Sequence, residues 1–454
     1  MEIISTIFYF ILTIGILVFV HEFGHFITAK YFGMRVEVFA IGMGYRLFGF
    51  NKITKFTFGK LDETIDLGNH TDYRIALLPI GGYVKVSGII DENFDKTNLD
   101  STPQLFEYRA KPVWQRMIFV SGGVVANILL AILIFWGINL YQGEQHRATT
   151  TVGYVHPLSA AEIIGIQVGD KIQSINNKDI SDFESISKAI YADFIGMDLS
   201  IQIERNGLFQ NLNVERKIIP DLSEAPLGIF PIETEAVANV ILPNKPASKA
   251  GMKSGDIILA INSIPVRNQF EVTKLIRSNP EKEISINIKR DENNLTIPVT
   301  PSKDSTIGIQ LDLKYIGPIT KTEFGFFEAL PKGISDVSGA TILFTRSIIE
   351  MFRGTVSVTK SLGGPVRIAQ FATRSAEIGI ISFLGFIALL SISLAVINIL
   401  PIPAVDGGHL VLLIIEAVIR KPIPVKVQLA VQQVGVAILI TLMVFILYND
   451  IIGF

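Results

Sequence analysis

Long stretches without charge recur four times along the sequence, and the segments between them follow other periods. From Ile3 to Val20 every residue is uncharged, a run long enough to belong to a membrane-spanning helix. The same pattern predicts spans over residues 1–32, 113–142, 377–400 and 427–449. Only Glu2 is charged ahead of the first run and no small-residue cleavage site follows, so it reads as an uncleaved span. The second span holds Ser121-Gly122-Gly123, small enough for a neighbouring helix to approach closely, and one amide, Asn127, expected to bond across to another helix.

Between the first two spans, over residues 33–112, the period shortens to two. Arg35 to Ala40, Thr54 to Phe58 and Gly82 to Val86 alternate as hairpin strands do, with Gly42, Gly44, Gly81 and Gly82 where the chain turns or is closely approached. This predicts a membrane-associated β-region on the cytoplasmic side. Its edges can accept an extended peptide by strand addition, or the strands can be an ordinary structural hairpin; both readings stay open. Residues 91–112, acidic and then basic, read as a surface connection.

From about residue 145 to 310 the hydropathy falls to that of a soluble protein, and the segment repeats itself. Gly165-Ile166-Gln167-Val168-Gly169-Asp170, leading to Ile175-Asn176, aligns with Gly251-Met252-Lys253-Ser254-Gly255-Asp256, leading to Ile261-Asn262. The offset of about 86 residues is the size of a small β-rich domain rather than a solenoid unit. The repeated pattern resembles PDZ domains, which implies two of them, at 145–222 and 223–310, each able to bind an extended peptide. Copies that have lost their ligand and act as spacers fit the same pattern. Residues 311–376 read as an amphipathic membrane-surface region, and residues 401–426 as a Pro-rich loop and short helix before the last span.

Composition agrees with a membrane protein: 49% of the 454 residues are hydrophobic and 18% charged. A net charge of −2 with no basic run excludes a nucleic-acid partner. There is no cysteine, so iron–sulfur clusters, thiolate ligands and disulfides are excluded and any metal falls to His, Asp or Glu. Lys30, Arg35, Arg109 and Lys111 flank one inter-span loop, and Arg420, Lys421 and Lys426 lie in another. The positive-inside rule puts both loops in the cytoplasm and the repeat outside, in the periplasm of a two-membrane cell.

The chemistry concentrates in Val20-His21-Glu22-Phe23-Gly24-His25, at the end of the first run. On a helix, His21 and His25 share one face and can reach one metal ion, while Glu22 beside them can accept a proton from an attacking water. Intramembrane ionisable groups are expensive, which sets this copy of the pattern apart from a chance match on a soluble surface. His70, His146, His156 and His409 lack the spacing and default to surface or loop roles. A catalytic zinc site commonly takes a third protein ligand, and Asp406 is the best candidate. It stands in an otherwise apolar stretch where Pro401 and Pro403 break the helix and Gly407 and Gly408 give it room. Capping of the following helix is the competing role for Asp406. Two rival functions also fit parts of the pattern: a membrane adaptor with a decayed metal site, and a metal transporter with His21, His25 and Asp406 along its path.

His-Glu-Phe-Gly-His in a first span, Pro401-Ile402-Pro403-Ala404-Val405-Asp406-Gly407-Gly408 near a third, and a repeat between spans two and three together resemble the site-two proteases, intramembrane zinc metalloproteases, in their bacterial form with two tandem PDZ domains. The resemblance covers essentially the whole chain. It implies a multi-span α-helical membrane protein of about four transmembrane helices, with a membrane-associated β-region and two PDZ-like β-rich domains. It implies one Zn2+ held by His21, His25 and Asp406, Glu22 as general base, and Asn398 as a substrate-positioning or oxyanion-stabilising amide. It implies that Gly81, Gly82 and Tyr83 hold an extended substrate. Implied partners are the lipid bilayer and membrane-embedded peptides of the inner membrane: trimmed anti-sigma-factor-like proteins and signal-peptide remnants. Val405 and Val124 depart from the leucine and proline common in the family at those positions.

Overall fold

The computed structural model describes residues 2–62, 65, 67–89, 102–219, 227–354 and 363–452, so most of the acidic part of the 91–112 connection lies outside the described residues. Two compact units emerge: residues 1–143, 323–349 and 362–454 form one, and residues 144–322 and 350–361 the other.

The first unit is built from helices α1 (Glu2–Tyr31), α2 (Val113–Gln142), α3 (Phe326–Arg353), α4 (Pro365–Ile378), α5 (Ile380–Ile399), α6 (Asp406–Ile419) and α7 (Val425–Ile452). Four helices among the described residues contain stretches long and apolar enough to cross a bilayer: Ile4–Tyr31, Val113–Gln142, Ile380–Ile399 and Val425–Asp450. These match the four expected spans. The third begins at Ile380 because Gly379, at φ +145°, separates it from α4. Helices α1 and α2 cross where glycine faces glycine: a Cβ built on Gly24 would lie 2.2 Å from the Gly122 carbonyl oxygen. There the two backbones can touch, which brings the histidines of α1 against α2.

Strands β1 (Val36–Asn51), β2 (Lys55–Phe58) and β3 (Asp72–Val86) form one antiparallel sheet in the order β2-β1-β3. Both long strands double back. Phe39 is opposite Val84 on one side and Tyr73 on the other, while Phe50 is also opposite Tyr73. Gly42 and Gly44, at φ +87° and +84°, supply the left-handed conformations at the bend of β1. The last stretch, Gly82 to Val86, is therefore an outer ribbon, and it lies against α1: a Cβ on Gly82 would be 2.8 Å from Val18 Cγ1. Elsewhere the sheet displays Leu47, Phe50, Phe56 and Phe58, all exposed.

The segment expected at 311–376 as a membrane-surface region divides differently. It opens with the strands Ile309–Tyr315 and Ile319–Thr322 of the second unit, and α3 then packs along α2 and α5. Val337 is buried with Ala131, Ala388 and Ile392. Two features permit this. Asn139 donates to Asp336 at 2.7 Å and Lys332 pairs with the same carboxylate, so Asp336 is satisfied inside the bundle; and Gly333 lets α3 approach the backbone of Trp136.

In the second unit each sequence copy closes its own core. The first has a sheet ordered 178–179, 171–175, 199–205, 208–214, and the second 293–299, 284–290, 257–261, 234–241, 309–315. The repeated Gly-Asp explains itself physically. Asp170 and Asp256 are fully buried, each accepting a backbone N–H of its own turn, from Gln167 at 2.7 Å and Lys253 at 2.8 Å. Each is neutralised by a bidentate arginine, Arg205 and Arg290, which also donates to the Gly165 or Gly251 carbonyl. Asn176 and Asn262 accept from the neighbouring strand at Ser200 and Ser285. The boundary expected at 222/223 moves, because the strand Ile229–Pro231 pairs with Val152–Val155 and Leu227 and Ile229 join the first core. Likewise the second copy runs on to Tyr315.

Candidate metal centre

One turn apart on α1, His21 and His25 turn their Nε2 atoms toward each other at 3.3 Å. Asp406 Oδ2 lies 3.2 Å from His21 Nε2 and 3.5 Å from His25 Nε2. Asp406 stands in the first turn of α6, and the capping position before it belongs to Val405, whose side chain makes no cap bond. The carboxylate is thus free of the capping role. Its Oδ2 is buried without a hydrogen-bond donor. Two ring nitrogens and a carboxylate oxygen crowded together are the donor set a divalent cation takes.

The other ring nitrogens are fixed by α2. His25 Nδ1 donates to the Phe119 carbonyl at 2.9 Å, which leaves Nε2 with its lone pair directed at the site. His21 Nδ1 lies 3.1 Å from Asn127 Nδ2, while Asn127 Oδ1 is buried with no hydrogen-bond partner. Turning that amide half a revolution puts the oxygen on Nδ1–H and frees His21 Nε2 in the same way. Ser391 of α5 donates to the Asn127 backbone carbonyl at 2.8 Å, tying the arrangement to a third helix. The room for both rings comes from Gly123: a Cβ there would lie 2.5 Å from His25 Nε2 and 2.6 Å from His21 Cε1.

A cavity of about 260 Å³ opens on this cluster, lined by His21, Glu22, His25, Gly82, Tyr83 and Asp406 among others. Glu22 reaches it beside the outer ribbon of β3, its Cγ within 3.1 Å of where a Gly82 Cβ would be. Gly81 is not among the lining residues; at φ +79° it turns the chain against Met43 instead. Asn398, on the last turn of α5, is half-buried and is not among the residues that line the cavity either. The amide that meets the histidines is Asn127. Sequence reading expected it to bond to another helix without naming the partner, and it missed the Phe119 carbonyl and Gly123.

Two imidazoles of α1 and a carboxylate at the head of α6, with a glutamate in the same cavity, make up a candidate metal centre. The chain belongs to peptidase family M50, whose profile matches residues 9–442. It is 30% identical to the regulator of sigma-E protease RseP of Escherichia coli (strain K12) and 30% identical to the regulator of sigma E protease of Haemophilus influenzae, with 97% of each chain covered. A Vibrio cholerae serotype O1 protein provisionally named a zinc metalloprotease is 31% identical over 97% of each chain. The protein is a zinc metalloprotease of the intramembrane type, with Zn2+ as its cofactor.

Proposed function

We propose that the chain cleaves the membrane segments of single-span proteins already trimmed outside the bilayer, with His21, His25 and Asp406 holding the zinc and Glu22 as general base. The observation that carries this reading is the convergence of those three ligand atoms in a cavity that the β3 ribbon also lines. When bound, zinc supplies a Lewis acid that activates water and polarises a carbonyl. Glu22 takes the proton of the attacking water and gives it to the departing amine. His21 and His25 are held with Nε2 inward by the Asn127 amide and the Phe119 carbonyl. Asn398 is the proposed oxyanion or substrate-positioning amide, acting once a peptide is seated.

A helical substrate keeps its carbonyls in internal hydrogen bonds, so it has to unwind before attack. Pairing with the ribbon from Gly82 to Val86, at the edge of its sheet, offsets the lost bonds. The exposed Leu47, Phe50, Phe56 and Phe58 suit a sheet that meets lipid. With Lys30, Arg35 and Lys111 flanking the first loop, the catalytic cavity belongs near the cytoplasmic face of an inner membrane, and the two repeat copies, read as PDZ domains, belong in the periplasm. Two relatives are named for regulating sigma E, so an anti-sigma-factor-like protein is the substrate we assign, with signal-peptide remnants as a second class.

The test compares wild type with Glu22→Gln on a single-span peptide in detergent. Wild type cleaves, stops when zinc is chelated and resumes when it is restored; Glu22→Gln binds zinc normally and does not cleave. Cleavage by Glu22→Gln at the wild-type rate overturns the assignment.

A further inference from the structure

The cavity that holds the metal ligands extends to a charged pair that the chemistry above does not use. Arg116, in the first turn of α2, meets Glu416 of α6 through two bonds, Nη2 to Oε1 at 2.5 Å and Nη1 to Oε2 at 3.2 Å. Their side chains are 13% and 11% exposed. The guanidinium also lies 5.7 Å from the ring centroid of Tyr108, and that ring sits edge-on to Phe119, whose carbonyl holds His25. Beside the pair, Leu413 of α6 is buried against Phe119 and Val120 of α2.

The spacing along the two helices is the informative feature. Asp406 and Glu416 are about ten residues apart on α6, some 15 Å along its axis, and Asn127 and Arg116 are about eleven apart on α2, a similar length. The helices run antiparallel, with the metal ligands at one end of their contact and the ion pair at the other. Apolar packing between Leu413 and Phe119 tolerates sliding of a helix along its axis. A bidentate arginine–carboxylate pair does not, because both bonds are lost together when one partner moves by an ångström or two.

We propose that Arg116 and Glu416 are positioning residues that lock the axial register of α6 on α2 and so keep Asp406 at ligating distance from His21 and His25. This rests on the reading of Asp406 as a zinc ligand. Breaking the lock lets α6 drift and weakens zinc binding through Asp406, with no contact between the pair and the ion.

The experiment is a thermodynamic cycle on the full-length protein, reading Zn2+ affinity by competition with a chelator and, separately, the thermal unfolding of the zinc-free form. Glu416→Gln weakens affinity about tenfold to a hundredfold, the range for residues that orient ligands from outside the ligand shell. In an Asp406→Ala background the same substitution has no further effect on affinity. The exchange of Arg116→Glu with Glu416→Arg restores affinity to within a few-fold of wild type. If Glu416→Gln does not accumulate, Arg116→Lys, which keeps the charge and loses the fork, gives a smaller loss of the same sign. An affinity unchanged within twofold while the unfolding temperature falls overturns the proposal, as does a loss equally large without Asp406. Asp406→Ala binding zinc as wild type does would overturn the ligand assignment itself.

Discussion

Gly123 has no side chain, and the space this leaves is filled by two imidazoles. Adding one methyl group there forces a contact of 2.5 Å on His25 Nε2, so Gly123→Ala is expected to displace the proposed ligands and to drop the zinc content of the purified protein to background. Asn127→Ala acts more gently. It removes the acceptor that orients His21 and lowers zinc affinity about tenfold to a hundredfold, whereas Asn398→Ala leaves affinity unchanged and reduces turnover. Chelator competition separates the two amides. As candidates, His21, Glu22 and His25 stand out in the sequence because helical spacing is local, and Asp406 because a charge stands out in an apolar run broken by prolines; the structure brings His21, His25 and Asp406 together. Phe119 does not stand out, since its contribution is a backbone carbonyl, which every residue type has. The partner of Asn127 lies across a helix crossing that no local period encodes.

At the level of elements, the four spans were readable from hydropathy alone, while the sheet was readable only in pieces. Its three alternating stretches appear as strands, but the doubling back of β1 and β3 depends on pairings between residues far apart, such as Phe39 with both Tyr73 and Val84. That doubling makes Gly82 part of an outer ribbon pressed on α1. A Cβ at Gly82 would lie 2.8 Å from both the Ala40 carbonyl oxygen and Val18 Cγ1. Gly82→Val therefore pushes the ribbon off α1 and out of line with the ligands. The expected outcome is a KM for a membrane peptide raised about tenfold or more, which corresponds to about 1.4 kcal/mol or more of lost binding. Zinc affinity stays at the wild-type value, because no ligand moves. An equal loss in both would mean that the ribbon supports the metal rather than the peptide. The amphipathic pattern of α3 was also legible, but not its destination: a surface helix and a helix packed on α2 share the same moment, and the difference lies in Asn139 and Gly333, which satisfy Asp336 and admit the backbone.

For the whole molecule, the question is what the repeat does for a peptidase whose chemistry is complete without it. The strands Glu144–Arg147 and Ile319–Thr322 pair with each other, from Ile319 opposite Arg147 to Thr322 opposite Glu144, so the repeat enters and leaves through one two-stranded ribbon. Removing residues 149–317 cuts beyond that ribbon and leaves it paired. If the two copies restrict access by bulky ectodomains, the shortened protein cleaves untrimmed single-span substrates that the full chain spares, while its rate on a trimmed peptide stays the same. A subtler variant tests whether the folded copies are needed rather than mere bulk. In the second copy the fully buried Asp256 depends on Arg290 for its neutralising charge, and Arg290→Ala leaves that carboxylate uncompensated inside the domain. The expected results are protease sensitivity confined to residues 234–315, unchanged zinc affinity, and the same loss of selectivity as the deletion. Retained selectivity in Arg290→Ala, alongside lost selectivity in the deletion, would assign the filtering to the first copy, where Arg205 neutralises Asp170 in the same way.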